Sequence, residues 1–349
     1  MSGLHDLAAR ALHAFGPEDA HRLSIVGLKA GLGPRADART PDLSTNLAGL
    51  ALPNPVGLAA GYDKNAEAAG AMLAAGFGFV ECGTVTPLPQ AGNPRPRLFR
   101  LSQDRGVINR MGFNNVGLER FAANLAASAS GPRRGVVGAN IGANKDAADR
   151  VADYVTGLKR LWGRADYFTV NISSPNTPGL RALQTGDALA ELLGRLAEAR
   201  TTLPGHAPIF LKVAPDLEDA EIEAIADAVA AYSFDGVIAG NTTLSRRNLA
   251  SQQRDEAGGL SGAPLMTLAT RVLASFHKAA RGRFGLIGAG GVASGADAYA
   301  KLRAGASAVQ LYSALVLEGP SLVTRIRRDL AARLKADGFA SVADAVGAI

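Results

Sequence analysis

The chain has 349 residues, 47% of them hydrophobic and 19% charged, which is an ordinary composition for a soluble protein with a sizeable core. Its net charge is +6, but the basic residues are spread along the chain, which argues against nucleic-acid binding and allows a mild attraction to anionic substrates or membrane surfaces. The single cysteine, Cys82, excludes an internal disulfide and favours a reducing compartment. No secretory signal is visible, and no apolar run approaches the ~18 residues of a membrane span.

Residues 1–40 are predicted to form a helical hairpin. Apolar residues recur at helical spacing over 4–15, Gly16-Pro17 breaks the helix, and a second helix is predicted to about Gly31. After a linker at 34–41, a second domain is predicted over 41–349. Two roles remain open for the hairpin: a cap packed on the bottom of the second domain, or an apolar-faced segment lying at a membrane interface.

From about residue 45, short apolar runs end in turns rich in glycine, asparagine and threonine, and helical stretches separate them. Continuous apolar runs that alternate with helices are typical of a parallel sheet buried on both faces. Repeated eight times, this unit favours an α/β fold of the closed (β/α)8, or TIM barrel, type. The predicted strands are 55–61, 78–84, 135–140, 167–171, 209–213, 236–241, 284–290 and 308–313. The stretch 84–135 is too long for one crossover and predicts an insertion near the barrel mouth.

In such a barrel the site lies at the C-terminal ends of the strands, where asparagines dominate the polar residues of this chain. Those residues are Lys64, Thr84, Asn109, Asn140, Asn171, Ser174, Asn176, Lys212, Asn241, Thr242 and Ser313. Asp63 and Asp216 are the nearby acids, which disfavours a metal centre and a two-carboxylate glycosidase. No histidine follows a predicted strand and no GxSxG motif is present, which disfavours a Ser-His-Asp hydrolase.

Glycines and lysines at these strand ends suggest anionic ligands. Residues 288–292 (GAGGV) end the seventh predicted strand and Ser294 opens a helix, which predicts a phosphate site unless the glycines only make tight turns. Lys212 lies in an apolar strand and needs an anionic partner or an electron-rich ring, unless it extends to the barrel rim. Lys64 suits a substrate carboxylate or a flavin edge, or is a solvated loop lysine. The asparagine amides match a pyrimidine-like ring better than a sugar phosphate.

Taken in order, the motifs of this chain resemble those of the dihydroorotate dehydrogenase family, over essentially its whole length. They are residues 59–64 (AAGYDK), 109–113 (NRMGF), 171–177 (NISSPNT), 211–216 (LKVAPD), 241–243 (NTT), 258–262 (GGLSG) and 288–292 (GAGGV). The likeness is to the membrane-associated, quinone-reducing class. Ser174 stands where soluble relatives carry a cysteine base, and the N-terminal hairpin is typical of that class.

The resemblance implies one FMN per chain and oxidation of (S)-dihydroorotate to orotate with a quinone, in de novo pyrimidine (UMP) biosynthesis. It also implies a monomer attached peripherally to the cytoplasmic face of the cell membrane. The implied FMN-binding residues are Ala60, Gly61, Tyr62, Asp63, Lys64, Thr84, Asn140, Asn171, Lys212, Gly240, Gly262, Gly291, Tyr312 and Ser313. The implied substrate-binding residues are Lys64, Asn109, Arg110, Met111, Gly112, Phe113, Asn171, Asn176, Asn241 and Thr242. His21, Arg22 and Arg100 match positions that line the quinone entrance, whereas Gly240 departs from the threonine or serine common in the family.

Ser174 is the catalytic base that the resemblance implies. It would take the proton from C5 while the hydride leaves C6 for the flavin. A serine hydroxyl can act as a base when a closed loop excludes water and a relay, here Thr177 directly or through water, carries its proton away. Two alternatives remain open: a related flavin barrel that uses fumarate or a nicotinamide cofactor, and a barrel that binds a phosphorylated ligand without redox chemistry.

Overall fold

The computed structural model describes residues 2–36, 41–128 and 135–348, so part of the predicted linker, residues 37–40, lies outside the described residues. The strands are β1 (Thr45–Leu47), β2 (Leu50–Leu52), β3 (Val56–Leu58), β4 (Phe79–Val85), β5 (Leu98–Leu101), β6 (Gly106–Asn109), β7 (Val136–Ile141), β8 (Tyr167–Asn171), β9 (Ile209–Val213), β10 (Gly236–Ala239), β11 (Gly259–Gly262), β12 (Gly285–Ala289) and β13 (Ala308–Leu311). The helices are α1 (Ser2–Ala11), α2 (Pro17–Lys29), α3 (Ala69–Ala74), α4 (Gly117–Ser128), α5 (Arg150–Leu161), α6 (Gly186–Thr201), α7 (Asp219–Ala231), α8 (Met266–Ala280), α9 (Gly295–Arg303), α10 (Ser313–Glu318) and α11 (Leu322–Ala336).

Eight parallel strands close into a barrel, in the spatial order β3, β4, β7, β8, β9, β10, β12, β13, with β13 paired to β3. The predicted (β/α)8 class is confirmed, and each predicted strand overlaps one barrel strand. The observed strands are shorter where the prediction ran into a turn: β3 ends at Leu58, and Ala59 to Gly61 already belong to the loop. Nearly all residues of the barrel strands are buried, because helices cover the outer face of the barrel.

The bottom of the barrel is closed by the antiparallel pair β1–β2, which the sequence did not predict. Leu47 and Leu52 of this pair pack against Phe79, Tyr167 and Phe210 at the beginnings of the barrel strands. The large rings fill the bottom of the barrel, which leaves the opposite, C-terminal end open for a ligand.

The predicted insertion at 84–135 contains β5 and β6, which pair antiparallel near the mouth. β11 lies on the other edge of β6 and comes from the long loop after β10. This three-stranded sheet therefore joins two loops that are about 150 positions apart in the chain, and it forms one wall over the barrel mouth.

The N-terminal hairpin also lies at the mouth. The Nη1 group of Arg100, on β5, donates to the carbonyl of Phe15 at 3.1 Å, and the hydroxyls of Ser24 and Tyr62 are 3.1 Å apart. The Nε2 atom of His13 lies 2.9 Å from the carbonyl oxygen of Val316, in α10. The alternative of a cap on the barrel bottom is therefore wrong.

Pro17 at the start of α2 and Glu18 in its first turn explain why the second helix begins there.

Candidate active site

A cavity of about 560 Å³ opens at the C-terminal ends of the barrel strands and continues beneath the hairpin. Its barrel end is lined by strand-end residues such as Lys212 and Asn171. Its outer end is lined by hairpin residues such as Ala8, Leu12 and Leu28. One space therefore connects a polar pocket in the barrel mouth with an apolar passage under α1 and α2.

Most of the residues singled out in the sequence line this cavity. They are His21, Ala60, Gly61, Tyr62, Lys64, Thr84, Arg100, Asn109, Met111, Gly112, Phe113, Asn171, Ser174, Asn176, Lys212, Gly240, Asn241, Thr242, Gly262, Gly291, Tyr312 and Ser313. Five others, Arg22, Asp63, Arg110, Asn140 and Thr177, are not part of its lining. Most of the residues that the resemblance implied therefore lie together around one cavity. The others lie outside its lining.

Two of those five stand directly behind lining residues. Asp63 is buried and its carboxylate accepts the backbone N–H groups of Glu67 and Ala68, each at 2.7 Å, which shapes the loop that carries Lys64. Burial raises the pKa of the Asp63 carboxyl. Asn140 accepts a hydrogen bond of 2.6 Å from the hydroxyl of Thr84 and so positions that side chain.

The other three make contacts elsewhere. Arg110 pairs with Glu256 at 2.7 Å, and its guanidinium lies over the ring of Phe99. Arg22 is bound to Glu67 at 2.7 Å on the outside of the hairpin. Thr177 is buried in the loop after β8.

Asparagines from the ends of β8 and β10 hold the loop after β8. The amide of Asn241 donates to the hydroxyl of Ser173 at 2.7 Å, and that hydroxyl donates to Oδ1 of Asn171 at 3.0 Å. The hydroxyl of Ser174 accepts the backbone N–H of Asn176 at 3.2 Å. The hydroxyl of Ser173 is therefore occupied by hydrogen bonds that hold the loop, whereas Ser174 lines the cavity.

Arg181 is a residue that the sequence analysis missed. It donates to the carbonyls of Ser173 and Thr242, at 3.0 and 2.9 Å, and to the carboxylate of Asp216 at 2.9 Å. It thereby fastens the loop that carries Ser174 to the loops after β9 and β10. An arginine in a loop carries no local signal of such a role, because its partners come from distant parts of the chain.

Glu81 is the second missed residue. It lies on β4, is fully buried, and its Oε1 is 3.6 Å from Nζ of Lys212 on β9. The sequence did hold a signal: Lys212 required an anionic partner, and Glu81 is a charged residue in another apolar barrel strand.

Glycines leave the backbone without side chains where β11 and β12 end at the barrel mouth. Gly262, Gly290 and Gly291 have φ of 92°, 97° and 84°, a region that disfavours other residues. A Cβ at Gly291 would lie 2.4 Å from the Cα of Met266. Gly240, with φ of 121°, is similar, since a Cβ there would lie 2.4 Å from the carbonyl oxygen of Ala289. A threonine or serine is therefore excluded at this position by this backbone conformation.

Two basic side chains at the middle of the cavity have lowered pKa values. Burial lowers the pKa of Lys64 to about 8. Burial, together with the charge of Lys64, lowers the pKa of His21 to about 3, so this imidazole is neutral at physiological pH. Its ring meets the ring of Tyr62 edge-on, 5.2 Å between centroids, and Tyr62 meets Tyr312 in the same way at 5.7 Å. These three rings stand between the barrel pocket and the apolar passage.

An ion pair between the partly buried Glu18 and the buried Arg97 anchors the hairpin over this cavity. Glu18 on α2 accepts from Nη2 and Nε of Arg97, at 2.5 and 3.1 Å. Burial acts to raise the pKa of Glu18, but the hydrogen bonds and charges of Arg97 and Arg95 outweigh it, and the pKa is lowered. A second, more exposed pair joins Lys29 to Glu67 at 3.0 Å.

Two features are absent from the described part of the chain, a metal-binding cluster and a membrane-spanning helix. Over 2–36, 41–128 and 135–348, histidine, cysteine, aspartate and glutamate side chains do not gather into a group able to hold a metal ion. Over the same ranges, no helix has the length and apolar character needed to cross a membrane.

Known proteins resemble this chain along nearly its full length. The sequence profile of the family described as "Dihydroorotate dehydrogenase" matches residues 42–334. A protein of Azorhizobium caulinodans named "Dihydroorotate dehydrogenase (quinone)" is 55% identical over 352 residues, which cover 99% of each chain. A protein of the same name from Xanthobacter autotrophicus is 55% identical over 338 residues, 95% of each chain. The crystal structure of Eimeria tenella DHODH in complex with ferulenol superposes with a TM-score of 0.91, at 40% identity and 95% coverage of both chains.

Proposed function

The chain belongs to the dihydroorotate dehydrogenase family, and from that premise we propose that it oxidises (S)-dihydroorotate to orotate, with FMN as its bound cofactor and a membrane quinone as electron acceptor. This reaction would serve de novo pyrimidine biosynthesis. The observation that carries the proposal is the continuous cavity, because it joins a polar pocket in the barrel to an apolar passage under the hairpin. A flavin between the two would meet a polar substrate from one side and a quinone from the other.

The residues of the pocket fit an FMN. The bare backbone at Gly262 and Gly291 admits the close approach of a phosphate to peptide N–H groups. Lys212, Thr84 and Asn171 offer an ammonium, a hydroxyl and an amide to a ring bound at the barrel axis. We propose that the lining residues Ala60, Gly61, Tyr62, Lys64, Thr84, Asn171, Lys212, Gly240, Gly262, Gly291, Tyr312 and Ser313 hold the cofactor. Asp63 and Asn140 would support them from behind.

The chemistry that a bound FMN would supply is to accept the hydride from C6 of dihydroorotate and to pass its electrons on. The chain supplies the orientation and the base. Lys64 would pair with the substrate carboxylate, and Asn109, Asn171, Asn176, Asn241 and Thr242 would bind the ring edges. Thr242 supports this role, since its buried Oγ1 has no hydrogen-bond partner among the described residues. Met111, Gly112 and Phe113 would close the pocket, and Arg110 would position them through Glu256.

Ser174 is the proposed base. Its hydroxyl lies in the cavity wall and is buried, so water competes little for the reacting proton. The hydroxyl would take the proton from C5 while passing its own proton on, and loss of the C5 proton with the C6 hydride leaves the C5=C6 double bond of orotate. Thr177, buried three residues further along the loop, is the proposed onward acceptor, directly or through water.

The quinone would enter beneath the hairpin. Nε and Nη2 of Arg100 are buried without a hydrogen-bond partner in the described chain, and they suit a quinone carbonyl. His21 would flank the same passage, and Arg22 would hold α2 in place through Glu67. Exposed apolar side chains on the hairpin, Leu7, Phe15, Leu23, Val26 and Leu32, support the proposal of a peripheral attachment to a membrane. The proposed side is its cytoplasmic face.

The first test is flavin content and its response to substrate. We expect the purified protein to be yellow, to release about one FMN per chain on denaturation, and to lose its flavin absorbance when dihydroorotate is added without oxygen. A colourless protein that takes up no FMN, or a flavin that dihydroorotate leaves oxidised, would overturn the proposal.

A further inference from the structure

The side chain of Glu81 lies at the centre of the barrel, below the floor of the cavity and outside its lining. Its carboxylate is saturated with neutral donors. Oε1 accepts the amide of Asn140 at 2.7 Å. Oε2 accepts from Gln310 at 2.8 Å, from Thr169 at 3.0 Å and from Tyr167 at 3.2 Å. Four donors from three other barrel strands therefore converge on this one carboxylate, which can only accept hydrogen bonds.

Lys212 is the cation that faces this carboxylate. Its Nζ is 3.6 Å from Oε1 of Glu81, and it is almost completely buried. Lys212 lines the cavity and Glu81 does not. The carboxylate of Glu81 therefore cannot contact a bound ligand, and it acts on one by its field and by partly neutralising the charge of Lys212. Removing one partner of a buried pair leaves the other charge uncompensated, whereas removing both is often tolerated.

The carboxylate also orients the two amides on the floor. Because it cannot donate, the nitrogens of Asn140 and Gln310 must face it, and their oxygens must face away. Oδ1 of Asn140 consequently receives the hydroxyl of Thr84, a lining residue. Oε1 of Gln310, also a lining residue, is buried and accepts no hydrogen bond from the described part of the chain.

We propose that Glu81 is a positioning residue that holds Lys212, Thr84 and Gln310 in the orientation a flavin requires and sets the reduction potential of that flavin by offsetting the charge of Lys212. This proposal rests on the proposed function. Without the carboxylate, the ammonium of Lys212 would act on the cofactor unopposed. A positive charge beside a flavin favours its electron-rich reduced form, so the potential would move in the positive direction.

The test is the reduction potential of bound FMN in Glu81→Gln, with Tyr167→Phe as the matched control. Tyr167→Phe removes one hydrogen bond from the same carboxylate but leaves its charge in place. We expect a positive shift in Glu81→Gln, little change in Tyr167→Phe, and return toward the wild-type potential in Glu81→Asp. Equal potentials in wild type and Glu81→Gln, or equal shifts in Glu81→Gln and Tyr167→Phe, would overturn the proposal.

The single variant can fail to fold because Lys212 is left unpaired. In that case the double variant Glu81→Gln/Lys212→Met, which removes both charges, is expected to recover soluble, cooperatively unfolding protein. A double variant that also fails would contradict the pairing. A wild-type protein without FMN would overturn the proposed function as well, whereas a wild-type flavoprotein with an insensitive Glu81→Gln variant would overturn this inference alone.

Discussion

Glu18→Gln should release the hairpin from the barrel mouth while leaving the flavin pocket intact. In the wild type, Glu18 accepts two hydrogen bonds from Arg97, whose side chain is only 8% exposed. Arg97 stays in place after the substitution, since it also donates to the carbonyls of Ala91 and Asn93 at 2.7 Å. Its buried charge would then have no carboxylate. Glu18 itself is 18% exposed, so the cost lies between the about 0–1 kcal/mol of an exposed pair and the about 3–5 kcal/mol of a fully buried one. At about 1.4 kcal/mol per factor of ten, this increases the open population roughly tenfold or more.

Hydrogen exchange of the amides in α1 and α2 measures this opening directly. We expect at least a tenfold loss of protection in Glu18→Gln and a raised KM for quinone, with a much smaller effect on the reduction of FMN by dihydroorotate. Glu67→Gln is the matched control, because its partners Arg22 and Lys29 are 58% and 45% exposed and such pairs contribute about 0–1 kcal/mol each. Protection equal to wild type in Glu18→Gln, or a larger loss in Glu67→Gln, would refute the reasoning. Since the pKa of Glu18 is lowered in the docked state, docking should weaken as the pH falls through that pKa, and not at alkaline pH.

Further predictions concern the pocket. Ser174→Ala should retain FMN but slow its reduction by dihydroorotate at neutral pH by about 10²–10⁴-fold, whereas Ser173→Ala should cost much less; equal losses in stopped-flow traces would remove Ser174 from the mechanism. Because the pKa of Lys64 is lowered to about 8, the ammonium is lost above that pH, and the KM for dihydroorotate should rise roughly tenfold per pH unit there. That rise should be absent in Lys64→Met, and a KM independent of pH in the wild type would contradict the role of Lys64. Arg181→Met should lower kcat and raise the KM for dihydroorotate together without loss of FMN, since three loops lose their common donor. Steady-state rates equal to wild type would show that Arg181 does not hold the loop in its working position.

The sequence was a good guide to the barrel for a physical reason. Strands covered on both faces are nearly continuous apolar runs, so β4, β8 and β9 stand out from the helices between them. The short pair β1–β2 has no such signature, because each strand has three residues and buries only one of them. The pairing of β6 with β11 joins two loops that are about 150 positions apart in the chain, and no local pattern encodes it.

For the candidate site, the resemblance identified cavity-lining residues that periodicity could not. The physical pattern alone indicated anionic ligands near Lys212 and the glycines of 288–292, and both lie at the mouth. What the sequence could not give were contacts between distant elements. Glu81 with Lys212, Arg181 with Asp216, and Glu18 with Arg97 each join separate segments, and the last of these is one of the contacts that hold the hairpin at the barrel mouth.

The central claim is tested most directly by supplying dihydroorotate and one electron acceptor at a time to the FMN-loaded protein. A short-chain quinone, fumarate and NAD⁺ would be compared under identical conditions, with orotate formation measured for each. The account predicts sustained turnover with the quinone and little or none with fumarate or NAD⁺. Turnover supported by fumarate or NAD⁺ alone would contradict it.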